Sequence, residues 1–258
     1  MENARCRLCV MDDFAVVIPS RSRPFTARAC ALLFHNPFVC VAESEIDEYR
    51  SRNVDNLISH PDAVNGIGQM RKWILDNFEH NVVVMVDDDV TGMWVNTGEF
   101  GRMVTDSKVI TSVLVNTANV ASDLGAHVFG FSQSWDVRKY NALHPFSLCT
   151  WFGGVIGFVG RSKDVRYSDR CLRVDIDYCL QSLVTHRVVW QDSRYAFVQN
   201  RASATGGNSI NRSRERDVAE IKYLLQKWGR YLSISLTKGR EIRLLLNVRR
   251  ARSIKWLG

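Results

Sequence analysis

Residues 82–90 read VVVMVDDDV, five apolar side chains that pass without a break into three aspartates. The apolar run is too short to cross a bilayer, and its valine content favours a strand buried on both faces. Three adjacent carboxylates at the mouth of such a strand repel one another unless a cation sits among them. A doubly buried strand also needs a sheet covered on both sides, so the remaining chain has to alternate further strands with helices.

The sequence supplies that alternation. FAVVIP at 14–19, FVCVA at 38–42 and the apolar run at 127–131 read as strands. Ser22 and Pro24 open a helix with Phe25, Ala29, Leu32 and Leu33 on one face. Residues 66–78 carry Ile67, Met70, Ile74 and Phe78 at helical spacing. Asp106 caps a long helix with the stripe Ile110, Val113, Leu114, Val120, Ala121 and Leu124, ending at Gly125. The pattern predicts an α/β fold, an open and mostly parallel sheet with helices on both faces, and such sheets bind ligands at the carboxyl ends of their strands. Beyond a loop at 133–150, WFGGVIGFVG (151–160) predicts a glycine-rich strand, and a helix starting near Asp175 buries Ile176, Cys179, Leu180 and Leu183. An amphipathic helix at 213–228 is closed by Gly229, and alternation at 231–236 and 241–248 predicts a hairpin.

Charge divides the chain unevenly. Lys and Arg total 34 against 27 Asp and Glu, net +7, yet residues 201–258 hold 14 basic and 4 acidic side chains, net +10. A near-neutral body with a basic end is the pattern of a molecule that meets a polyanion on one side. With 46% apolar residues, disorder, collagen and coiled coil are excluded as the main architecture. Seven scattered cysteines suggest a reducing compartment, and the lone CxxC of Cys6 and Cys9 lacks the second pair of a zinc site. No apolar segment follows the first basic residues, so a soluble, cytoplasmic protein is expected.

Several residues at the predicted strand ends carry chemistry. Asp87 and Asp89 point the same way if extended geometry persists, and their hard oxygens suit Mg²⁺ or Mn²⁺ held jointly with a diphosphate. The competing reading is a solvated acidic turn. PSRSR at 19–23 places two guanidiniums and a helix start at the same edge, a setting for phosphate, or else a surface turn. Glu43 follows the second strand and is placed to accept from ribose hydroxyls. GIGQMR at 66–71 imitates a dinucleotide fingerprint, but no strand is expected before it and Arg71 stands where a third glycine belongs. Asp175 is either a helix cap or a general base. Gly153, Gly154 and Gly157 mark a bulge or a close ligand approach, and Gly206, Gly207 and Asn208 form a loop with the same ambiguity. His144 and His186 are isolated and read as structural.

Taken in order, VVIPSRSRP, an acidic residue after the second strand, GIGQMRK, the strand into DDD, the glycine-rich strand and DIDY at a helix start resemble the GT-A glycosyltransferases over roughly residues 14–208. The resemblance implies a nucleotide-sugar donor, with UDP as the expected carrier, and a Mn²⁺ or Mg²⁺ cofactor. Pro19, Ser20, Arg21, Arg23, Glu43, Arg71, Asp88, Gly153 and Gly154 would then bind the donor. Asp87 and Asp89 would hold the metal, and Asp175, or alternatively Asp177, would be the base. Many members add a late histidine to the metal; none follows His186 here, which leaves Asn208, water or the diphosphate. Residues 1–210 would form the donor-binding catalytic domain and 211–258 a basic extension packed on it.

The small size, the PSRSRP start and the basic tail look like the phage-type glycosyltransferases associated with base-hydroxylating dioxygenases, as in base J synthesis. That likeness implies a 5-hydroxymethylpyrimidine in DNA as acceptor, and host cytoplasm as the location if the source is viral. Trp135, Arg138, Lys139, Tyr140 and His144 interleave aromatic and basic groups suited to an extruded base. Arg249 and Arg250, with Lys238, Arg240 and Arg252, would clamp the DNA backbone. Competing readings are a GT-A enzyme acting on protein or carbohydrate, and an inactive nucleic-acid-binding module on the same scaffold.

Overall fold

Alternation along two strands sets the layers. In β1 (Phe14–Pro19), Val16 and Ile18 enter one core while Ala15 and Val17 enter the other. In β4 (Val82–Val86), Val82, Val84 and Val86 face the first core and Val83 and Met85 the second, which is the period of two along a strand buried on both faces. The computed structural model describes residues 13–97, 100–169, 173–200, 214–236 and 242–248.

Eight further strands join these two: β2 (Phe38–Ala42), β3 (Leu57–His60), β5 (Val90–Val95), β6 (Arg102–Val104), β7 (Val128–Ser132), β8 (Phe146–Ser147), β9 (Val155–Val159) and β10 (Trp190–Gln199). Their order is β3-β2-β1-β4-β9-β7-β10-β5-β6, with β8 beside β10. From β3 to β4 every pairing is parallel, β9 enters antiparallel between β4 and β7, and β10 runs parallel to β7. The expected open α/β sheet is therefore present, with β9, β5 and β8 running against the rest.

Helices α1 (Pro24–Ala31), α2 (Ile46–Ser51) and α4 (Ser107–Asp123) cover the first core, and α3 (Ile67–Asn77), α5 (Val174–Thr185) and α6 (Arg214–Trp228) the second. The hairpin of β11 (Leu232–Leu236) and β12 (Ile242–Leu246) pairs as expected, and Leu232 and Leu244 enter the second core with Ile221 and Leu224 of α6. Asp106 caps α4 by accepting from the Lys108 and Val109 amides at 2.9 and 3.0 Å. Among the described residues no helix is long and apolar enough to cross a membrane.

Several local expectations need correction. In α1 the buried positions are Pro24, Ala27 and Cys30, followed by Leu33 and Phe34, whereas Phe25, Ala29 and Leu32 are exposed. Arg52 lies over the Phe25 ring, so that ring is shielded by a cation at the surface. In α4, Thr111, Thr117 and Ala118 are buried and Leu124 is exposed. A strand, β3, does precede GIGQMR, and Gly66 caps α3 at φ 92°, a left-handed value that glycine tolerates. Residues 151–154 precede the strand, which begins at Val155. Gly157 serves packing, not a ligand: it pairs with Phe129, whose ring lies where a Cβ would stand.

Candidate active site

A cleft of about 1120 Å³ opens at the carboxyl ends of β1 to β4. Pro19, Arg21 and Arg23 come from the end of β1, His60 from the end of β3, and Asp87, Asp88 and Asp89 from the end of β4. Residues 153 and 154 before β9, Asp175 of α5 and Asp217 and Glu220 of α6 complete it. Parallel neighbours end at the same edge, so residues far apart in sequence converge there.

The aspartates leave extended geometry at once. The Val90 amide donates to the Asp87 carbonyl at 3.2 Å, closing a tight turn, and the Asp87 amide donates to the Gly154 carbonyl at 2.7 Å. The turn still brings the Asp87 and Asp89 carboxylates together. Gln199 Nε2, at the end of β10, lies 3.0 Å from Asp87 Oδ2 and 3.0 Å from Asp89 Oδ1. The other Asp87 oxygen accepts from Arg71 Nη2 at 2.8 Å. Sequence reading missed Gln199, because β10 (WQDSRYAFVQ) shows no clean alternation of apolar and polar residues.

Arg71 is almost fully buried and stands over the Tyr167 ring, 5.9 Å from its centroid. Burial opposes its charge, yet Tyr167, Asp87 and Asp175 together raise its pKa above the ordinary arginine value, so it stays a cation. Burial pushes the Asp175 carboxyl up, opposed chiefly by Arg71. Asp175 does not cap α5; the cap position is Arg173, whose side chain makes no capping bond and instead pairs with Asp217. A Cβ at Gly153 would stand 3.3 Å from Asp175 Oδ2, so the glycine keeps that carboxylate uncrowded.

Asp177 is elsewhere. It is fully buried, outside the cleft, and accepts from Lys227 Nζ, Trp228 Nε1 and Gln181 Nε2 at 2.9, 2.7 and 2.9 Å. The alternative base of the sequence reading thus lies away from the cleft, where it joins α5 to α6. Ser20 is also buried behind the cleft, donating to Asp88 Oδ2 at 2.7 Å and sharing a 2.7 Å hydrogen bond with the Tyr49 hydroxyl. Asp88 lines the cleft but spends its second oxygen on Arg23 Nη1 at 3.2 Å. Burial raises its pKa to about 6, against the pull of Ser20 and Arg23. Asp88 and Ser20 therefore tie the β1–α1 turn to the aspartate turn.

Glu43 is replaced by Glu45. The chain turns from β2 directly into a 3-10 turn, Glu43–Glu45, which leaves Glu43 exposed outside the cleft. Glu45 lines the cleft and accepts from the Ser22 amide and hydroxyl at 2.8 and 3.0 Å. Arg21 donates to Asn65 Oδ1 at 2.6 Å, joining the β1 end to the start of α3. Trp135, Arg138, Lys139 and Tyr140 do not line the cleft; from their loop region only Gln133 and Trp151 do. Trp135 is exposed with its ring against Trp94, and Arg138 pairs with Asp136. Asn208, Arg249, Arg250, Lys238, Arg240, Arg252 and the Cys6–Cys9 pair lie outside the described residues.

A cleft at the carboxyl edge, two convergent carboxylates, a buried arginine and a carboxyl of raised pKa make a site for moving a group from an anionic carrier. The sequence profile of the TET-associated glycosyltransferases matches residues 14–208. The chain belongs to that family. This glycosyltransferase also shares its fold with glucosyl-3-phosphoglycerate synthase from Mycobacterium tuberculosis. The structure of that enzyme with Mn²⁺, uridine-diphosphate-glucose and phosphoglyceric acid superposes at a TM-score of 0.51 and 11% identity, over 90% of this chain and 86% of the other. Another structure, of a mycobacterial protein, gives 0.51 and 11%, over 90% and 83%. The synthase with Mn²⁺, uridine-diphosphate and glucosyl-3-phosphoglycerate gives 0.50 and 12%, over 90% and 87%. No curated protein sequence matches.

Proposed function

We propose that this glycosyltransferase moves a sugar from a UDP-sugar to the hydroxyl of a 5-hydroxymethylpyrimidine in DNA, with Mn²⁺ or Mg²⁺ as cofactor. The observation that carries the reading is the meeting of Asp87 and Asp89 at one point in a cleft that also holds Arg21, Arg23, Arg71 and Asp175.

The residues present fit a divalent cation. Two carboxylate oxygens converge on a single polar atom, and both are the hard donors that Mg²⁺ and Mn²⁺ take, with waters and phosphate oxygens filling the remaining positions. Such a cation supplies neutralisation of the departing diphosphate. The rest is the work of the chain. Arg71, fixed by Asp87 and Tyr167, adds a charge that needs no rearrangement as the diphosphate leaves, and Arg21 and Arg23 add theirs at the β1 end. Asp175, whose raised pKa makes it the stronger proton acceptor, takes the proton of the acceptor hydroxyl as the oxygen bonds to the anomeric carbon. The nucleic-acid acceptor is supported by the family description and by the net charge of +10 in residues 201–258.

Radiolabelled UDP-sugars with Mn²⁺, offered hydroxymethylated DNA and unmodified DNA side by side, test the reading. Label should enter only the hydroxymethylated strand. Asp175→Asn should abolish transfer and leave UDP-sugar affinity within about twofold. Equal labelling of both DNAs, or of neither with any UDP-sugar, would refute the acceptor assignment.

A further inference from the structure

Gln199 reaches the aspartates through two features of the backbone. The pairing of β10 with β5 shifts register between Val198 and Gln199, which sets Gln199 opposite Val90, the residue after Asp89. The Asn200 amide then donates to the Asp89 carbonyl at 2.9 Å and pins the strand end to the aspartate turn. Space for the side chain comes from Gly154, at φ 79°. A Cβ there would come within 2.8 Å of Gln199 Cδ and 2.9 Å of Nε2.

The amide thus stands where two like charges meet, and a single Nε2 serves both. Arg71 holds the remaining Asp87 oxygen, so Asp87 Oδ2 and Asp89 Oδ1 are the pair left facing one point. A donor there relieves carboxylate repulsion, but it opposes a cation at the same place. An amide can reverse that preference without moving its backbone, because its oxygen and nitrogen are close in size and exchange by half a turn of the terminal torsion. Among the described residues no three His, Cys, Asp or Glu side chains gather into a cation site, so a third ligand drawn from those residues is of another type. A carboxamide oxygen is a hard donor of the required kind.

We propose that Gln199 is the third protein ligand of the cation held by Asp87 and Asp89: it bridges the two carboxylates through Nε2 without metal and turns its Oε1 to the cation when one binds. The proposal rests on the metal-dependent reading above. Because the amide is neutral, the site stays weak for the metal alone and tightens with the diphosphate.

Binding of Mn²⁺, followed by loss of the free-ion electron paramagnetic resonance signal with and without UDP, tests this apart from activity. With UDP present, Gln199→Ala should weaken Mn²⁺ binding about tenfold or more. Gln199→Glu, nearly isosteric, should bind Mn²⁺ more tightly than the unaltered chain and show the larger rise in melting temperature on adding it. Undiminished binding by Gln199→Ala, or no extra Mn²⁺ stabilisation of Gln199→Glu, overturns the proposal and leaves the metal reading standing. Failure of the unaltered chain to bind Mn²⁺ overturns both.

Discussion

The separate duties of Asp175 and Asp177 give the sharpest prediction. Asp177→Ala removes the acceptor of three side-chain bonds from a carboxylate with no exposure. Truncating one partner of a buried ion pair costs about 3–5 kcal/mol. Lys227 is a third exposed and regains water, so the lower end of that range applies. The Trp228 indole N–H loses its acceptor as well, for about 1–3 kcal/mol if it stays buried. A total near 4–6 kcal/mol corresponds to a melting temperature lower by about 8–24 °C in a chain of this size. Asp177→Asn keeps an oxygen for Trp228 and loses the charge facing Lys227, so it should fall between. Urea unfolding and thermal melts measure these shifts, and transfer assayed well below the melting point should persist in Asp177→Ala. A variant that melts like the unaltered protein but has lost transfer would show Asp177 to be a catalytic group and refute its assignment as a fastener.

Two further predictions concern buried groups. Asp88 titrates at about 6 in the folded chain against about 3.9 in an unfolded one, so between those values the folded state holds the extra proton and stability falls as pH rises. The loss is complete above about pH 6 and on the order of 3 kcal/mol; Asp88→Asn should lack it, and parallel stability curves for the two proteins from pH 4 to 7 would rule it out. Gly157→Ala drives a Cβ into the buried Phe129 ring on the neighbouring strand and should cost about 3 kcal/mol, read as a lower melting temperature. An unchanged melt would mean that the ring has room to move.

The sequence made legible what hydrophobic runs and turn residues encode. The strand into three aspartates and the capped α4 stand as read, because each is bounded by a local signal; the helix of DIDY stands on its apolar spacing, without a side-chain cap. Strands β5 and β10 were not legible: VTGMWV begins inside the aspartate turn, and β10 carries Asp192 and Arg194, which pair with each other at 2.6 Å. Missing β10 meant missing Gln199. Glu43 was misplaced because a tight turn after a strand leaves no trace in composition, and two residues of turning exchange which carboxylate faces the cleft. The face of α1 was misread because size suggested burial for Phe25 and Leu32, while close packing on the sheet selects the smaller Ala27 and Cys30.

Helix α6 reaches the cleft at its start and the helix of Asp175 at its close. Asp217 and Glu220, near its start, line the cleft, and Lys227 and Trp228, at its close, grip the helix that carries Asp175. Helix α6 is therefore not an interchangeable cassette. A segment grafted from a relative would need a cation and an indole one residue apart, facing Asp177, or the graft would strand a buried carboxylate beneath the helix that carries Asp175.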